Sequence, residues 1–456
     1  MVRGGLLSVR PIGASQSSFA SIVYDQVIPA DEPVRVWRQI LDGTIREADF
    51  ASLYADSQRG RPPFPAIVMI RMMIWQFMAK LSDRQMETAA RYDLRVRFFL
   101  GLNPDDPVPD ATTLCLFRKR LLQAGRERQV FDALVEKARE LGFLKEGYEE
   151  LTDTTHMKTA AAVPTIVGLV QQGIRRVLLA WRAQDPQAAT EVAQRLRLEE
   201  YLGERLHLER ASIKSKRGQR RFRWVVKQAY RLLADLPAEQ GPELQQAVEV
   251  LRRILNEQTS DDSEPPKSET DETDSDQGKG QQIKGRIATA NDPDARWGKK
   301  GSIQWTGYKT AVFEDSESEL ITDIDVCPGN RPDSETVPPH FDRTPQEKQP
   351  ADMVADGAYG YPQLRQMLKE KGIVLIAPRT TKCQPGPHPG GGLVALKEDH
   401  AIRAKVERKQ AELVKYHGLR VARYLGLAKV KVQAYFTAAA VNIKRLGLLV
   451  VNATCA

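Results

Sequence analysis

The chain has 456 residues, 41% of them hydrophobic, and a formal net charge of +8 at pH 7, which allows two or three domains with a sizeable core. No run of about 18 apolar residues and no N-terminal apolar segment of signal-peptide length is present, so neither a membrane span, a membrane partner nor a secretion signal is expected. Cys115, Cys327, Cys383 and Cys455 lack CxxC spacing, which argues against a structural zinc site or a disulfide framework and fits a reducing cytoplasm. Glu257 to Asp276 carries nine acids and one lysine, leaving +16 on the rest of the chain. A body that basic fits a polyanionic partner, of which nucleic acid is the commonest.

Residues 1–30 carry no clear period and read as a loose lead-in. Two short amphipathic helices are expected between Pro33 and Tyr54, with Val36, Trp37, Ile40 and Leu41 as one apolar stripe. Pro62-Pro63-Phe64-Pro65 punctuates the chain before a strongly apolar helix, Ala66 to Lys80. Ser82-Asp83-Arg84-Gln85 is a capping box that opens the next helix. Pro109-Asp110 opens another over Ala111 to Leu122, with Arg118, Lys119 and Arg120 together. Short helices with brief polar turns, the last one basic, fit a helix-turn-helix-like DNA-binding region, and equally a small basic bundle that binds nothing. Gln129 to Leu141 is a further helix.

Glu150 to Thr159 is threonine-rich and reads as a strand. Asp153 lies inside it, an unusual place for Asp unless the carboxylate has chemistry to do. Thr165 to Asn256 returns to helix, and Gly173 is expected to weaken or kink the first one. Within this block, Lys214 to Trp224 interleaves basic residues with aromatics. That pattern suits phosphate contact with base stacking, or a solvated helix face. Thr259 to Gln282 is acidic and nearly free of apolar residues, as a disordered linker would be.

Strands dominate after the linker. Ile303–Phe313 and Leu320–Val326 are joined by the acidic turn Glu314–Ser318. Asp333 to Arg343 reads as a short helix, and Met353-Val354-Ala355 as a strand that stops at Asp356-Gly357. Pro362 to Lys371 is a helix with an early proline, and Gly372 to Pro378 a strand. Gln384 to Gly392 is a glycine/proline-rich loop. Glu398 to His417 is a long helix with Ile402, Val406 and Leu413 inward and Gly418 at its end. Leu427 to Leu449 is an apolar packing helix.

With the helical block set aside, the order is strand (Asp153), two strands, helix, strand (Asp356), helix, strand, loop, helix. That is the order of an α/β, RNase H-like fold: a mixed sheet with flanking helices, an N-terminal helical domain and a helical insertion between the first two strands. The expected units are an N-terminal helical, DNA-binding domain (1–145), a catalytic domain (146–160 and 285–425), the insertion (161–256), the acidic linker (257–284) and a C-terminal packing helix (426–456). In such a sheet the first strand lies centrally beside the fourth. Asp153 and Asp356 would then meet at its edge, with a third carboxylate from the last helix. Amphipathicity leaves Glu398, Asp399, Glu407 and Glu412 open, because all lie off the apolar stripe.

His400-x2-Arg403-x3-Glu407, followed by Lys415, resembles the C-terminal signature of bacterial insertion-sequence DDE transposases, Tyr-x2-Arg-x3-Glu-x6-Lys. His400 replaces the tyrosine, and Lys415 lies eight residues past Glu407. Asp153-Thr-Thr-His156 resembles the family's first Asp strand, and Ala355-Asp356-Gly-Ala-Tyr359-Gly its second. Asp292 to Gly298, Gly307-Tyr308-Lys309, Met72 to Leu121 and Leu427 to Leu446 extend the likeness over nearly the whole chain.

The resemblance implies a transposase that binds transposon ends, cleaves DNA and joins the 3′-hydroxyl to target DNA by two-metal phosphoryl transfer. Asp153, Asp356 and Glu407 would be its catalytic, metal-binding carboxylates. The metal would be Mg²⁺, a hard cation that prefers carboxylate oxygen, with Mn²⁺ able to substitute. Double-stranded DNA is the implied partner, as terminal inverted repeats and as target. A homodimer on that DNA, in the bacterial cytoplasm at the nucleoid, is implied as well. Lys309, Arg403, Lys415, Arg420 and Arg423, with Arg118, Lys119 and Arg120, are candidate DNA contacts, largely to phosphate. His156 faces away from Asp153 by strand alternation and reads as a packing residue. Two other readings stand beside this one: a domesticated DNA-binding protein with an idle centre, and an RNase H-like nuclease that cuts without joining.

Overall fold

The computed structural model describes residues 18–54, 62–210, 212–259, 285–377 and 397–455. The chain opens with helices α1 (Ser18–Val27), α2 (Pro33–Asp42), α3 (Ala66–Met78), α4 (Asp83–Tyr92), α5 (Leu94–Leu100), α6 (Ala111–Gln123) and α7 (Gln129–Glu140). Helix α1 lies within the expected loose lead-in. It is anchored by Tyr24, whose hydroxyl donates to the Leu102 carbonyl at 2.6 Å, and by an ion pair of Asp25 with Arg35 at 3.0 Å. Tyr24 and a following Ile28 make too short a stripe to show as a period. The second of the two helices expected before Tyr54 is a 3₁₀ segment, Glu47–Leu53. The Glu47 carboxylate accepts the Ala66 and Ile67 amides, capping α3 where Pro65 offers no side-chain cap. The Ser82/Gln85 box caps α4 in both directions.

Strand β1 (Glu149–Lys158) follows, then the insertion: α8 (Ile166–Gln184), α9 (Pro186–Leu196), α10 (Lys216–Ala234) and α11 (Pro242–Gln258). These helices close their own apolar core. Gly173 does not interrupt α8. A Cβ there would come within 2.8 Å of Leu251 Cδ1, so the glycine lets α8 and α11 approach closely. Most of the expected linker, and the loop expected over Gln384–Gly392, lie outside the described residues.

The remaining elements are β2 (Arg296–Lys300), β3 (Ile303–Asp315), β4 (Ile321–Pro328), α12 (Val337–Arg343), β5 (Asp352–Val354), α13 (Pro362–Glu370), β6 (Val374–Ile376), α14 (Lys397–Lys415) and α15 (Leu427–Cys455). The sheet runs β2-β3-β1-β5-β6, with β4 also on β3. Antiparallel β3 flanks β1 on one side and parallel β5 on the other, so β1 is central and beside the Asp356 strand as expected. With helices flanking this mixed sheet and preceding it, the architecture is RNase H-like. Strand β2 was not anticipated. It forms a hairpin with β3 through Gly301-Ser302, and Gly301 takes φ +59°.

One apolar core joins the N-terminal helices, α15 and part of the sheet. Helix α15 is long and apolar enough to cross a bilayer. It packs instead on β4, α2, α3 and α7, which accounts for its all-round apolar character. Asp294 accepts the amide of Leu427 at its start, and Asp292 that of Gly426.

Candidate active site

The parallel register pairs Leu151 with Val354. Two residues further along each chain stand Asp153 and Asp356, side by side where β5 ends. Alternation puts both on the face that also carries Leu151 and Val354. Helix α14 covers that face: Val406 packs on Leu151 and Val354, flanked by Ile402 and Ile376.

Asp153 is 7% exposed. Its Oδ1 accepts the Thr154 amide at 2.7 Å and Lys300 Nζ at 3.1 Å. The same ammonium donates to the Thr154 carbonyl at 3.1 Å. Lys300 sits in register opposite Ile303, beyond the point where Gly307 pairs with Lys158. The β2–β3 hairpin therefore curls back over the strand ends. Gly307 permits this, with φ +151° and no room for a Cβ, which would fall 2.2 Å from the Met157 carbonyl oxygen. Burial alone would lower the Lys300 pKa, but the charges of Asp153, Asp333 and Asp356 hold it above its ordinary value.

Asp356 is half-buried at the start of a 3₁₀ turn, Gly357–Tyr359, where its Oδ1 accepts the Ala358 amide at 2.8 Å. Burial, then the negative charge of Asp153, push its pKa up; the Ala358 amide and Lys300 oppose them. Two neighbouring carboxylates that share one ammonium, bonded to Asp153, form a site short of positive charge. Hard oxygen donors of this kind suit a divalent cation such as Mg²⁺.

Glu407 lies on α14 and is exposed. Among the described residues no three His, Cys, Asp or Glu side chains form a metal-holding group. The structure thus brings Asp153 and Asp356 together and leaves Glu407 outside that pair. Its flank of α14 can be placed. On one side of the buried stripe, Lys405 Nζ donates to the Ser316 carbonyl at 2.6 Å and Arg408 lies 3.8 Å from Glu319, both at the foot of β1. Arg403, Glu407 and Gln410 occupy the opposite flank at 100° per residue.

The candidate DNA contacts divide by burial. Lys309 is 8% exposed, its ammonium held by Asp333 at 2.5 Å and the Arg331 carbonyl at 2.8 Å. Arg118 is likewise internal, forked onto Asp83 and stacked over Tyr424. Neither side chain stands at the surface as a phosphate contact requires, because each meets an acid from a distant segment. Lys119, Arg120 and Lys415 are exposed. Arg420 donates to the His156 carbonyl at 2.8 Å and Arg423 to the Leu81 carbonyl at 2.6 Å. Arg403 keeps a buried Nε with no partner. His156 packs against Trp305, ring centroids 5.0 Å apart, and burial followed by the Arg420, Lys158 and Lys300 charges takes its pKa down to about 4.

Sequence reasoning missed Lys300, Asp333 and Glu314. The Gly301-Ser302 pair between two β-compatible runs was the available signal for the hairpin that carries Lys300. Glu314 is fully buried under α14, its carboxylate without a hydrogen-bond partner and 3.9 Å from Lys409 Nζ. Burial takes its pKa up to about 7 against the opposing lysine.

Residues 22–120 match a family model described as a transposase domain (DUF772), and residues 268–443 one described as a transposase DDE domain. No solved structure matches the chain. Strand β1, with Asp153, and the helical insertion fall between the two matches.

Proposed function

As the chain belongs to the insertion-sequence DDE transposases, whose substrates are DNA and whose chemistry uses divalent metal, we propose that it binds transposon ends, cleaves them and joins the 3′-hydroxyl to target DNA. The carrying observation is the parallel register that sets Asp153 beside Asp356, because it links the matched DDE segment to a strand outside the match.

Asp153 and Asp356 would hold Mg²⁺, or Mn²⁺ in its place, with Glu407 as the third ligand. When bound, the metal pair activates the attacking oxygen and stabilises the leaving one. The chain's own residues prepare that site. The Ala358 amide fixes the direction of the Asp356 carboxylate through Oδ1 and leaves its second oxygen for a ligand. The Thr154 amide does the same for Asp153. Lys300 balances the pair's charge and, once released from Asp153, can take a DNA phosphate. Lys119, Arg120, Lys415, Arg420 and Arg423 supply further phosphate contacts. A homodimer pairing two ends, acting at the nucleoid in the cytoplasm, completes the reading.

Labelled terminal-repeat DNA with Mg²⁺ tests it. Wild-type protein should nick and join, and Asp153→Asn, Asp356→Asn and Glu407→Gln should bind ends without cutting. Strand transfer retained by any of the three would overturn that residue's assignment. Nicks without joined product in the wild type would identify a nuclease.

A further inference from the structure

Helix α10 of the insertion buries Phe222, Val225, Val226, Ala229 and Leu232 against the neighbouring helices. Lys216, Arg220, Arg223, Lys227 and Arg231 follow one another at spacings of four, three, four and four, and all are exposed. At 100° per residue they fall within an arc of about 80°, directly opposite the buried face. The stripe is about 22 Å long, with successive cations roughly 4.5–6 Å apart along the axis. Arg210 through Ala234 contains no Asp or Glu. Among the described residues none of the five makes an ion pair, whereas their neighbour Arg221 is drawn toward Glu200 at 3.5 Å and over Trp224. Five unneutralised like charges in one line repel each other and are stabilised only by an anionic partner or by solvent.

The insertion is also held at the reacting end of the sheet. It leaves from the end of β1 just past Asp153 and returns into β2, which carries Lys300. Arg176 on α8 donates to the Ala290 carbonyl at 2.6 Å, and Gln172 accepts from Thr289 and the Ala290 amide.

We propose that the exposed stripe of α10 binds the phosphate backbone of duplex DNA, making the insertion a second DNA-holding element. This rests on the transposase reading. Five cations evenly spaced in one line match a phosphate backbone, and contacts of that kind position the duplex without carrying sequence information. Duplex DNA presents one charge per about 1.7 Å of axis, dense enough to engage every cation of the line.

The test is the salt dependence of end-DNA affinity for full-length protein, measured by fluorescence anisotropy. Each neutralised phosphate adds about 0.9 to the slope of log K against log salt. Replacing all five residues with Gln should make the slope shallower by about 4.5, equally for specific and unrelated duplexes. Arg223→Gln and Lys227→Gln alone should each reduce it by about one, which keeps the proposal testable should the fivefold variant misfold. An unchanged slope in folded variants would overturn the proposal. Wild-type cleavage of end DNA in the same samples separates the two readings. If cleavage occurs and the slope is unchanged, only the stripe fails; if the wild type neither binds nor cleaves, the transposase reading fails.

Discussion

Glu150 and Asp153 stand three residues apart on β1, on opposite faces of the sheet and in opposite surroundings. Glu150 is fully buried, and both its oxygens are used: Oε1 by Thr322 at 2.6 Å and Tyr148 at 3.0 Å, Oε2 by His340 at 2.9 Å. His340 reaches Asp323 at 2.7 Å with its other nitrogen and stacks on Phe313. Arg128 and Arg343 close the far side of Asp323 at 2.7 and 2.9 Å. This network ties α7, α12, β1 and β4 together, and its two carboxylates and the imidazole are all partnered. Asp153, by contrast, has one local amide, one borrowed ammonium and a like-charged neighbour. Saturated carboxylates hold a fold; a pair left short of positive charge retains capacity for a ligand.

The largest effect should come from removing the unsaturated pair. Asp153→Asn or Asp356→Asn should lower Mg²⁺-dependent cleavage by well over the ~10–100-fold typical of losing a metal site's supporting hydrogen bond. Chemical denaturation should show stability unchanged or slightly raised, since the mutual repulsion is relieved. A large stability loss in either variant would break the contrast with Glu150.

Glu150→Ala should do the reverse. It strands His340 beside one acid and removes the acceptor of Thr322 and Tyr148, which should cost about 3–5 kcal/mol, the range for breaking a buried charged pair. Cleavage per folded molecule should stay near wild type. A cost under about 1 kcal/mol would mean the network is dispensable.

The same network sets a pH window. Burial opposes the charged form of His340, but Glu150 and Asp323 outweigh it and take its pKa from 6.5 up to about 9. Its contribution is complete below about pH 6.5 and is lost as pH rises through about 9. Asp323 is shifted the other way: burial works against its charge, yet His340, Arg128 and Arg343 hold its pKa well below 3.8. Its contribution is present above that value and is lost in acid. Urea midpoints between pH 6 and 10 should fall in the wild type and flatten in His340→Gln.

The order of the elements and two carboxylates of the candidate site could be read from sequence, whereas the network around Glu150 and His340 could not. A glycine after Asp356 marked one strand end, a threonine-rich run marked the strand around Asp153, and the order of elements paired the two. The rest depends on contacts between distant segments. Lys309 and Arg118 read as surface cations because nothing local shows that Asp333 and Asp83 will bury them. Helix α1 and strand β2 gain their order from Tyr24 and from β3 rather than from a period of their own. Glu407 is identifiable by spacing, but whether it joins the pair depends on how α14 crosses the sheet. Lys300 needed the curl of a hairpin.

Lys300 gives the finest test of the contrast, because it alone makes the unsaturated pair resemble a saturated one. It is partly exposed, so its bond to Asp153 should be worth at most about 1 kcal/mol. Lys300→Met should lower metal-free thermal stability by no more than that. It should also remove the cation that a divalent metal must displace. Mn²⁺ titrations followed by electron paramagnetic resonance should then show affinity tighter by roughly threefold to fivefold, the equivalent of about 1 kcal/mol. Mg²⁺ should raise the melting temperature more in the variant than in the wild type. Asp153→Asn with Lys300→Met should abolish both gains, since the carboxylate they act through is gone. Equal metal affinity in wild type and Lys300→Met would mean the ammonium decorates the site without competing for it.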